Sequence, residues 1–378
     1  MRILVTGGGT GGHVYPALSV LEVLRREGAW FKVEEVAWVG EKGGIEERIV
    51  SREEVPFIAV SSGPLRGISP GQALCSVFLL ARGIWQALRV VQRFAPDVVL
   101  STGGYVSVPL VLAAWVLGRP VLIYLPDMEP GLAVRFLSLF AQRVAVSFEQ
   151  VCRYFKKDKV FVSGYPVRRA LYVTSKREAR QRLGVPIEEA MVLVLGGSRG
   201  AHSINEAVRR DLQKLLQRAW VIHISGHRDY EELAQLKKGL EKDLARRYLL
   251  FAYMYEHMTD ALAAADVVVA RAGAATLGEF PAVGVPAILV PYPYAGQHQE
   301  VNARYLQERG AALVIEDEEL SERLLLTVQA LLDDREHLQA MGKAMRALAM
   351  PQAAELIARE LSALAKGKKR WKMSSAGM

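Results

Sequence analysis

Five glycines lie within six residues near the start of the chain, directly after a short apolar run. Ile3, Leu4 and Val5 are typical strand residues, and the glycines occupy positions 7, 8, 9, 11 and 12. From Val14, apolar residues recur at helical spacing, and Pro16 suits a first helical turn. Glycines let a backbone approach a ligand closely, and a helix start presents free N–H groups and a positive dipole end. The stretch predicts a site for phosphate or another anion, with a plain tight turn as the alternative.

The residue order in this loop, Gly-Gly-Thr-Gly-Gly-His, counts against two common nucleotide sites. It lacks the Gly-x-Gly-x-x-Gly spacing followed by an acidic ribose ligand, and it lacks the lysine of a Walker loop. NAD and ATP are therefore disfavoured as ligands.

Two carboxylates, Asp127 and Glu129, follow a predicted strand at residues 120–125. In open parallel sheets, ligands bind beyond the carboxyl ends of the strands. The pair is therefore a candidate part of the site. The alternative is a solvated turn in which Asp127 caps the next helix.

Strands alternate with helices along the chain, and glycine loops follow several of the strands. The second loop contains Gly103, Gly104 and Tyr105, the third spans residues 196–201, and the segment 271–279 follows a further strand. Each half of the chain opens with a strand and a glycine loop. The pattern predicts an α/β protein with two doubly wound parallel-sheet, Rossmann-like domains that face a ligand cleft.

Length and charge narrow the function classes. The chain has 378 residues, enough for two domains, and its two distant cysteines indicate reduced thiols. We expect neither a membrane-spanning helix nor a signal peptide, and therefore a cytoplasmic protein, because every apolar run is too short. The net charge of +8 is concentrated in the tail at 366–378, which has five basic residues and no acidic one. This distribution favours docking on an anionic surface over binding of nucleic acid.

A long apolar helix is predicted at residues 73–94, and its only charges are Arg82, Arg89 and Arg93. Such a helix is either a buried core element or one whose apolar face meets lipid while the arginines meet headgroups.

Four segments in order resemble the MurG family of glycosyltransferases: residues 8–16, 103–107, 196–201 and 271–279. The resemblance runs from Arg2 to about residue 365. The family transfers N-acetylglucosamine from UDP-N-acetylglucosamine (UDP-GlcNAc) to undecaprenyl-pyrophosphoryl-muramoyl-pentapeptide, called lipid I, in peptidoglycan synthesis. The resemblance implies the two-domain type B architecture and an inverting, peripheral enzyme at the cytoplasmic face of the cell membrane. No cofactor and no metal is expected.

The resemblance also implies a domain plan. Residues 1–163 would form the acceptor and membrane-side domain, and residues 164–350 would bind UDP-GlcNAc. A helix at 351–365 would pack back on the first domain, and the basic tail at 366–378 is expected to be disordered.

Individual roles carry over by position. The resemblance places donor contacts in the first loop and the diphosphate of UDP at the third loop. It assigns a uracil-side backbone contact to Tyr255, the ribose hydroxyls to Glu279 and the sugar to His298 and Gln299. The residues expected to bind substrate are Thr10, Gly11, Gly12, Gly103, Gly104, Tyr105, Arg168, Ser198, Arg199, Gly200, Tyr255, Ala274, Ala275, Thr276, Leu277, Gly278, Glu279, His298 and Gln299.

The chain departs from the family pattern in three places. Tyr165 replaces the asparagine of the Asn-Pro-Val-Arg motif that ends at Arg168, and His298 replaces the first of two glutamines. The largest departure is at residues 124–127, where Tyr-Leu-Pro-Asp replaces His-Glu-Gln-Asn.

The residues fit the chemistry of UDP-sugar transfer. Glycine-loop amides at a helix start stabilise a departing diphosphate without a metal, and a carboxylate at Glu279 accepts from both ribose hydroxyls. The acceptor hydroxyl needs a base, for which His13 and Asp127 are the catalytic candidates. The alternatives are a type B transferase for another lipid such as diacylglycerol, a non-catalytic nucleotide-sugar-binding protein, and a nucleotide-sugar epimerase.

Overall fold

The computed structural model describes residues 1–26, 32–63, 70–196, 201–255, 257–293 and 298–375, and within these ranges the side chains of 70–75, His298 and 368–375 are not described. The chain divides into two compact units. Unit 1 comprises Met1–Arg168 and Met350–Met378, and unit 2 comprises Arg169–Ala349.

Unit 1 contains a seven-stranded sheet in which all pairs are parallel. Its strands are β1 (Arg2–Thr6), β2 (Glu35–Gly40), β3 (Phe57–Ala59), β4 (Val98–Ser101), β5 (Val121–Leu125), β6 (Arg143–Val146) and β7 (Val160–Val162). The order is β3-β2-β1-β4-β5-β6-β7, so the order reverses between β1 and β4. Ligands of such sheets bind outside the carboxyl ends of the strands at this reversal.

The helices of unit 1 are α1 (Gly11–Arg25), α2 (Ile45–Arg52), α3 (Pro70–Phe94), α4 (Ser107–Val116), α5 (Leu132–Leu137) and α16 (Ala353–Ser375). A 3₁₀ segment spans Glu149–Tyr154. The core lies between the sheet and the helices. In it, Leu18 and Leu21 of α1 share one cluster with Ile357 and Leu361 of α16, so the last helix completes the packing around the first.

Unit 2 contains a six-stranded parallel sheet of order β10-β9-β8-β11-β12-β13. Its strands are β8 (Met191–Leu195), β9 (Trp220–Ile224), β10 (Tyr248–Phe251), β11 (Val267–Ala270), β12 (Ala287–Leu289) and β13 (Ala312–Val314). Its helices are α6 (Ala170–Val173), α7 (Lys176–Leu183), α8 (His202–Arg218), α9 (Tyr230–Lys238), α10 (Lys242–Arg247), α11 (Met258–Ala264), α12 (Thr276–Val283), α13 (His298–Gln307), α14 (Leu320–Asp333) and α15 (Arg335–Ala347), with a 3₁₀ segment at Asp317–Glu319. The predicted class, two doubly wound parallel α/β domains, is confirmed.

One local expectation was wrong. Pro16 is the sixth residue of α1, beyond the first turn, because the helix begins at Gly11. Helix α16 continues to Ser375, into the segment that was expected to be disordered, and that expectation stays a prediction. Lysine and arginine are good helix formers and interact favourably with the negative end of the helix dipole, so the tail extends the helix. Residues 376–378 lie outside the described part of the chain.

Candidate active site

The first glycine loop connects β1 to α1 and packs against the second loop, which follows β4. A Cβ on Gly7 would lie 1.8 Å from Oγ1 of Thr102, and a Cβ on Gly104 would lie 2.8 Å from the carbonyl oxygen of Gly8. Gly104 also has a φ of +86°, in the left-handed region that favours glycine. Glycine is therefore required where the two loops touch, and both loops lie at the sheet reversal.

Glu46 of α2 holds the first glycine loop in place, a role that the sequence did not predict. Its side chain is buried, and its carboxylate accepts from the N–H groups of Gly9 and Glu41, each at 3.2 Å. A Cβ on Gly8 or Gly44 would lie only 2.4 or 2.6 Å from its oxygens. Two of the glycines therefore make room for a carboxylate of the protein, a function that glycine spacing alone does not reveal.

His13 lies in the first turn of α1, and its ring is oriented by the second loop. Its Nδ1 is 2.7 Å from the carbonyl oxygen of Thr102. A carbonyl oxygen can only accept a hydrogen bond, so Nδ1 carries the proton and Nε2 of the neutral ring has the free lone pair. This tautomer is the one that a general base acting through Nε2 requires.

Asp127 is half-buried just beyond the carboxyl end of β5, next but one to β1 in the sheet. The preceding Tyr124 is fully buried, with its hydroxyl 2.8 Å from Oγ of Ser147. Burial raises the pKa of Tyr124 well above its usual value, and the nearby Asp127 carboxylate raises it further. The departure at 124–127 therefore places a buried phenol and one carboxylate at the same sheet edge as His13.

Arg168 ends the first segment of unit 1 and contacts α1. Its guanidinium carbon lies 4.8 Å from the centre of the Tyr15 ring, and its Nη1 is 4.0 Å from Oε1 of Glu53. Tyr105, two residues before α4 begins at Ser107, is exposed.

The third glycine loop joins β8 to α8 in unit 2. Ser198, Arg199 and Gly200 lie outside the described residues, so their predicted roles stay predictions. The first residue of α8, His202, has Nδ1 3.1 Å from Oδ1 of Asp229.

Behind the start of α8 lies a buried polar network that the sequence reasoning missed. Asp229 accepts from Nδ2 of Asn205 at 2.6 Å, and His223 contacts Asn205 and Tyr248, each at 2.9 Å. Burial lowers the pKa of His223 to about 3, so the ring is neutral. These contacts hold α8 against β9 and β10.

Glu279 lies in the first turn of α12, directly after the segment 274–278. Thr276, the first residue of α12, donates from Oγ1 to the carbonyl of Gly273 at 2.8 Å and so ties the helix start to the preceding loop. Asn302 of α13, fully buried, donates to the carbonyl of Ala272 at 3.0 Å, and so attaches α13 to the same loop.

The remaining predicted donor residues lie in other segments of unit 2. Gln299 accepts from the N–H of Tyr292 at 3.0 Å, and the ring centres of Tyr255 and Tyr253 lie 4.1 Å apart with their planes tilted by 44°. His298 begins α13. In the described part of the chain, no three acidic, histidine or cysteine side chains lie close enough to share a metal ion.

Comparison with known proteins covers the whole chain. The glycosyltransferase family 28 N-terminal domain matches residues 3–146, and the family 28 C-terminal domain matches residues 191–357. A relative from Halothermothrix orenii is 38% identical over 376 residues, covering 97% of this chain and all of that protein. A relative from Desulforudis audaxviator is 41% identical over 364 residues, covering 94% of this chain and 96% of that protein. Both are named UDP-N-acetylglucosamine–N-acetylmuramyl-(pentapeptide) pyrophosphoryl-undecaprenol N-acetylglucosamine transferase.

Solved structures give the same picture. MurG of Acinetobacter baumannii is 26% identical with a TM-score of 0.70, and the match covers 96% of this chain and 99% of that one. A UDP-GlcNAc 2-epimerase from Neisseria meningitidis, solved with UDP-GlcNAc, has a TM-score of 0.68 at 16% identity. This match covers 96% of this chain and 99% of that one. At that identity the second likeness concerns the fold alone.

Proposed function

The chain belongs to glycosyltransferase family 28 and, within it, to the MurG family, and we propose on this basis that it converts lipid I to lipid II. It transfers N-acetylglucosamine from UDP-GlcNAc to undecaprenyl-pyrophosphoryl-MurNAc-pentapeptide in peptidoglycan synthesis. The observation that carries the proposal is the full-length match to relatives that are all named for this reaction. The epimerase and diacylglycerol alternatives have no comparable support.

The orientation of His13 supports a role as general base. Its Nε2 takes the proton of the acceptor hydroxyl as the oxygen attacks the anomeric carbon of the donor, and the bond from that carbon to UDP breaks. A single displacement of this kind inverts the anomeric configuration. The hydrogen bond from Nδ1 to Thr102 holds the ring and stabilises the imidazolium that forms.

The donor is proposed to bind to unit 2. The start of α8, with Ser198, Arg199 and Gly200, holds the diphosphate of UDP, because a helix N-terminus favours anions. Glu279 accepts from the ribose hydroxyls, and Tyr255 contacts the uracil side through its backbone. Residues 274–278, His298 and Gln299 complete the contacts to the donor.

The acceptor side is proposed to belong to unit 1. The loop residues Thr10, Gly11 and Gly12 are proposed, as the resemblance implies, to present backbone N–H groups to the donor, and the second loop with Gly103, Gly104 and Tyr105 supports them. Asp127 positions the acceptor, and Arg168 contributes a positive charge.

An apolar patch on unit 1 supports attachment to an anionic bilayer. Helix α4 packs against both α3 and α5, and none of the three contains an acidic residue. The patch consists of the exposed side chains of Val77, Phe78, Trp85, Trp115, Val116, Leu132, Phe136 and Leu139. Contiguous exposed apolar surface of this kind marks an interaction site.

Basic residues border this patch. Arg82, Arg89 and Arg93 are exposed on α3, and the guanidinium of Arg89 lies 3.4 Å from the centre of the Trp85 ring. The arginines pair with anionic headgroups at ~1 kcal/mol each while the apolar side chains enter the headgroup boundary. Peripheral attachment on the cytoplasmic face gives the site access to a lipid-linked acceptor. Among the described residues, no helix has the length and apolarity needed to cross a bilayer.

The test is direct. Purified protein is incubated with labelled UDP-GlcNAc and a short-chain lipid I analogue, and the label is followed into lipid. We expect label in a disaccharide lipid and none when the acceptor is omitted. Conversion of UDP-GlcNAc to its 2-epimer, or transfer to diacylglycerol instead of lipid I, would overturn the proposal.

A further inference from the structure

The start of α1 lacks one of its own hydrogen bonds. In an α-helix, the N–H of residue 16 would donate to the carbonyl of residue 12. Proline has no N–H, and its ring also crowds that carbonyl. Pro16 therefore leaves the carbonyl of Gly12 without its helical donor, next to His13. Two glycines, among the poorest helix formers, open the same helix, so this turn has little intrinsic stability.

A residue far away in sequence supplies the missing donor. The hydroxyl of Tyr165 donates to the carbonyl oxygen of Gly12 at 3.2 Å. The Tyr165 side chain is only 4% exposed and Gly12 is half-buried, so this bond is partly shielded from water. A hydrogen bond to a buried carbonyl matters because an unpaired one loses its hydration without compensation.

The Tyr165 ring is itself held in place. Tyr124 packs against it edge to face, with ring centres 6.2 Å apart and planes at 80°. The Ser147 hydroxyl donates to the carbonyls of Leu125 and Pro126, so it accepts the hydroxyl proton of Tyr124. Tyr124 and Tyr165 are two of the positions at which the chain departs from the family pattern. The two residues that depart from the family pattern are therefore in direct contact with each other.

We propose that Tyr165 is a positioning residue for His13, replacing with its hydroxyl the N–H that Pro16 cannot provide. This holds the first turn of α1 in the geometry in which Nδ1 of His13 reaches Thr102. The proposal rests on the proposed function, because it assigns Tyr165 to the turnover step of that reaction. Tyr165 acts through the helix and not on substrate.

The experiment removes the hydroxyl and then restores the donor elsewhere. Y165F keeps the ring but not the hydroxyl, and we expect kcat to fall roughly 10- to 100-fold, as for a displaced catalytic group, with the KM for UDP-GlcNAc unchanged. P16A in the Y165F background provides an N–H at residue 16 that donates to Gly12, so kcat recovers. P16A alone keeps the Tyr165 bond and shows kcat near wild type.

The matched control is Y172F, which removes the hydroxyl of a half-buried tyrosine in unit 2, and it leaves kcat unchanged. Hydrogen exchange of the α1 amides gives a readout independent of activity. We expect faster exchange at residues 13–18 in Y165F and recovery in the double variant. If Y165F alone does not fold, the folded double variant with near-normal kcat supports the proposal.

Three outcomes would overturn the proposal. The first is an unchanged kcat in Y165F, and the second is a lower kcat in Y165F without faster hydrogen exchange in α1. The third is a folded P16A/Y165F double variant in which neither kcat nor the exchange rate returns to the wild-type value. A wild-type protein that transfers no sugar would instead refute the proposed function, and the exchange data would still report on the Tyr165 bond.

Discussion

The two candidate general bases, His13 and Asp127, differ in how their side chains are held. His13 has its ring fixed by Thr102 and its second nitrogen available, whereas Asp127 follows a buried strand and influences Tyr124. We expect H13A to lower kcat by roughly 10²–10⁴, the usual contribution of a general base. Steady-state kinetics with a lipid I analogue measures this. A change confined to KM would make His13 a binding residue.

Asp127 is tested by an isosteric variant. D127N removes the negative charge and keeps the shape, so we expect kcat to stay near wild type if the residue only positions the acceptor. Loss of kcat in D127N on the scale expected for H13A would assign the base to Asp127 instead.

Glu279 is expected to act on donor affinity. E279A removes a charged partner of the ribose hydroxyls, which costs ~1.5–3 kcal/mol and so raises the KM for UDP-GlcNAc about 10- to 100-fold. E300A on α13, an exposed glutamate paired with Arg304, is the matched control. Equal KM values for E279A and the control would remove Glu279 from the ribose site.

Among the elements, α2 supports the first glycine loop through Glu46. E46Q exchanges one acceptor oxygen for a donor that faces the N–H groups of Gly9 and Glu41, so the loop shifts. We expect a higher KM for UDP-GlcNAc, because the loop is expected to contact the donor, and an unchanged KM for the acceptor. Its neighbour Glu47 on the same helix accepts from Gly43 at 2.5 Å near the surface, so E47Q is the control. An effect on the acceptor KM alone would contradict the role of Glu46.

The proposed attachment to an anionic membrane depends on helix α3. We expect co-sedimentation with anionic liposomes that weakens in high salt and in R82E/R89E, because the charges act in solvent. Deletion of residues 366–378 should weaken binding without abolishing it. R304E/R323E reverses two exposed charges on unit 2 and serves as control. A protein that ignores anionic liposomes at low salt would refute the attachment.

Repeating local patterns made the strands, the first two glycine loops and the fold class predictable. Contacts between distant segments were not predictable in the same way. Tyr165 meets Gly12 across 153 positions, and Glu46 reaches a loop 37 positions away. The extension of α16 into the basic tail agrees with the helix propensity of lysine and arginine, which the charge of the segment alone does not reveal. Glu279 and His13 were found through a resemblance, and no local pattern assigns them their roles.

For the molecule as a whole, one buried histidine predicts acid sensitivity. The pKa of His223 is lowered to about 3 by burial, against about 6.5 in an unfolded chain. Between these values the unfolded state binds the extra proton, so the free energy of unfolding falls as the pH falls from about 6.5 towards 3.

Urea titrations at several pH values measure this effect. The slope contributed by one such group is about 1.4 kcal/mol per pH unit. H223Q should lose that part of the pH dependence, and a slope equal to that of the wild type would refute the assignment to His223.

Unit 2 is one uninterrupted stretch of chain, whereas unit 1 is built from both ends. On the ribosome, the strands of unit 1 emerge first, yet Ile357 and Leu361 of its core emerge last. The unit that is synthesised first is therefore finished last, after the sequence of unit 2 has been made. A premature stop codon shortly before residue 353 would consequently spare the later-made unit and leave the earlier-made one with an open core. In the cell, proteases would attack such a fragment at unit 1, the part that was synthesised first.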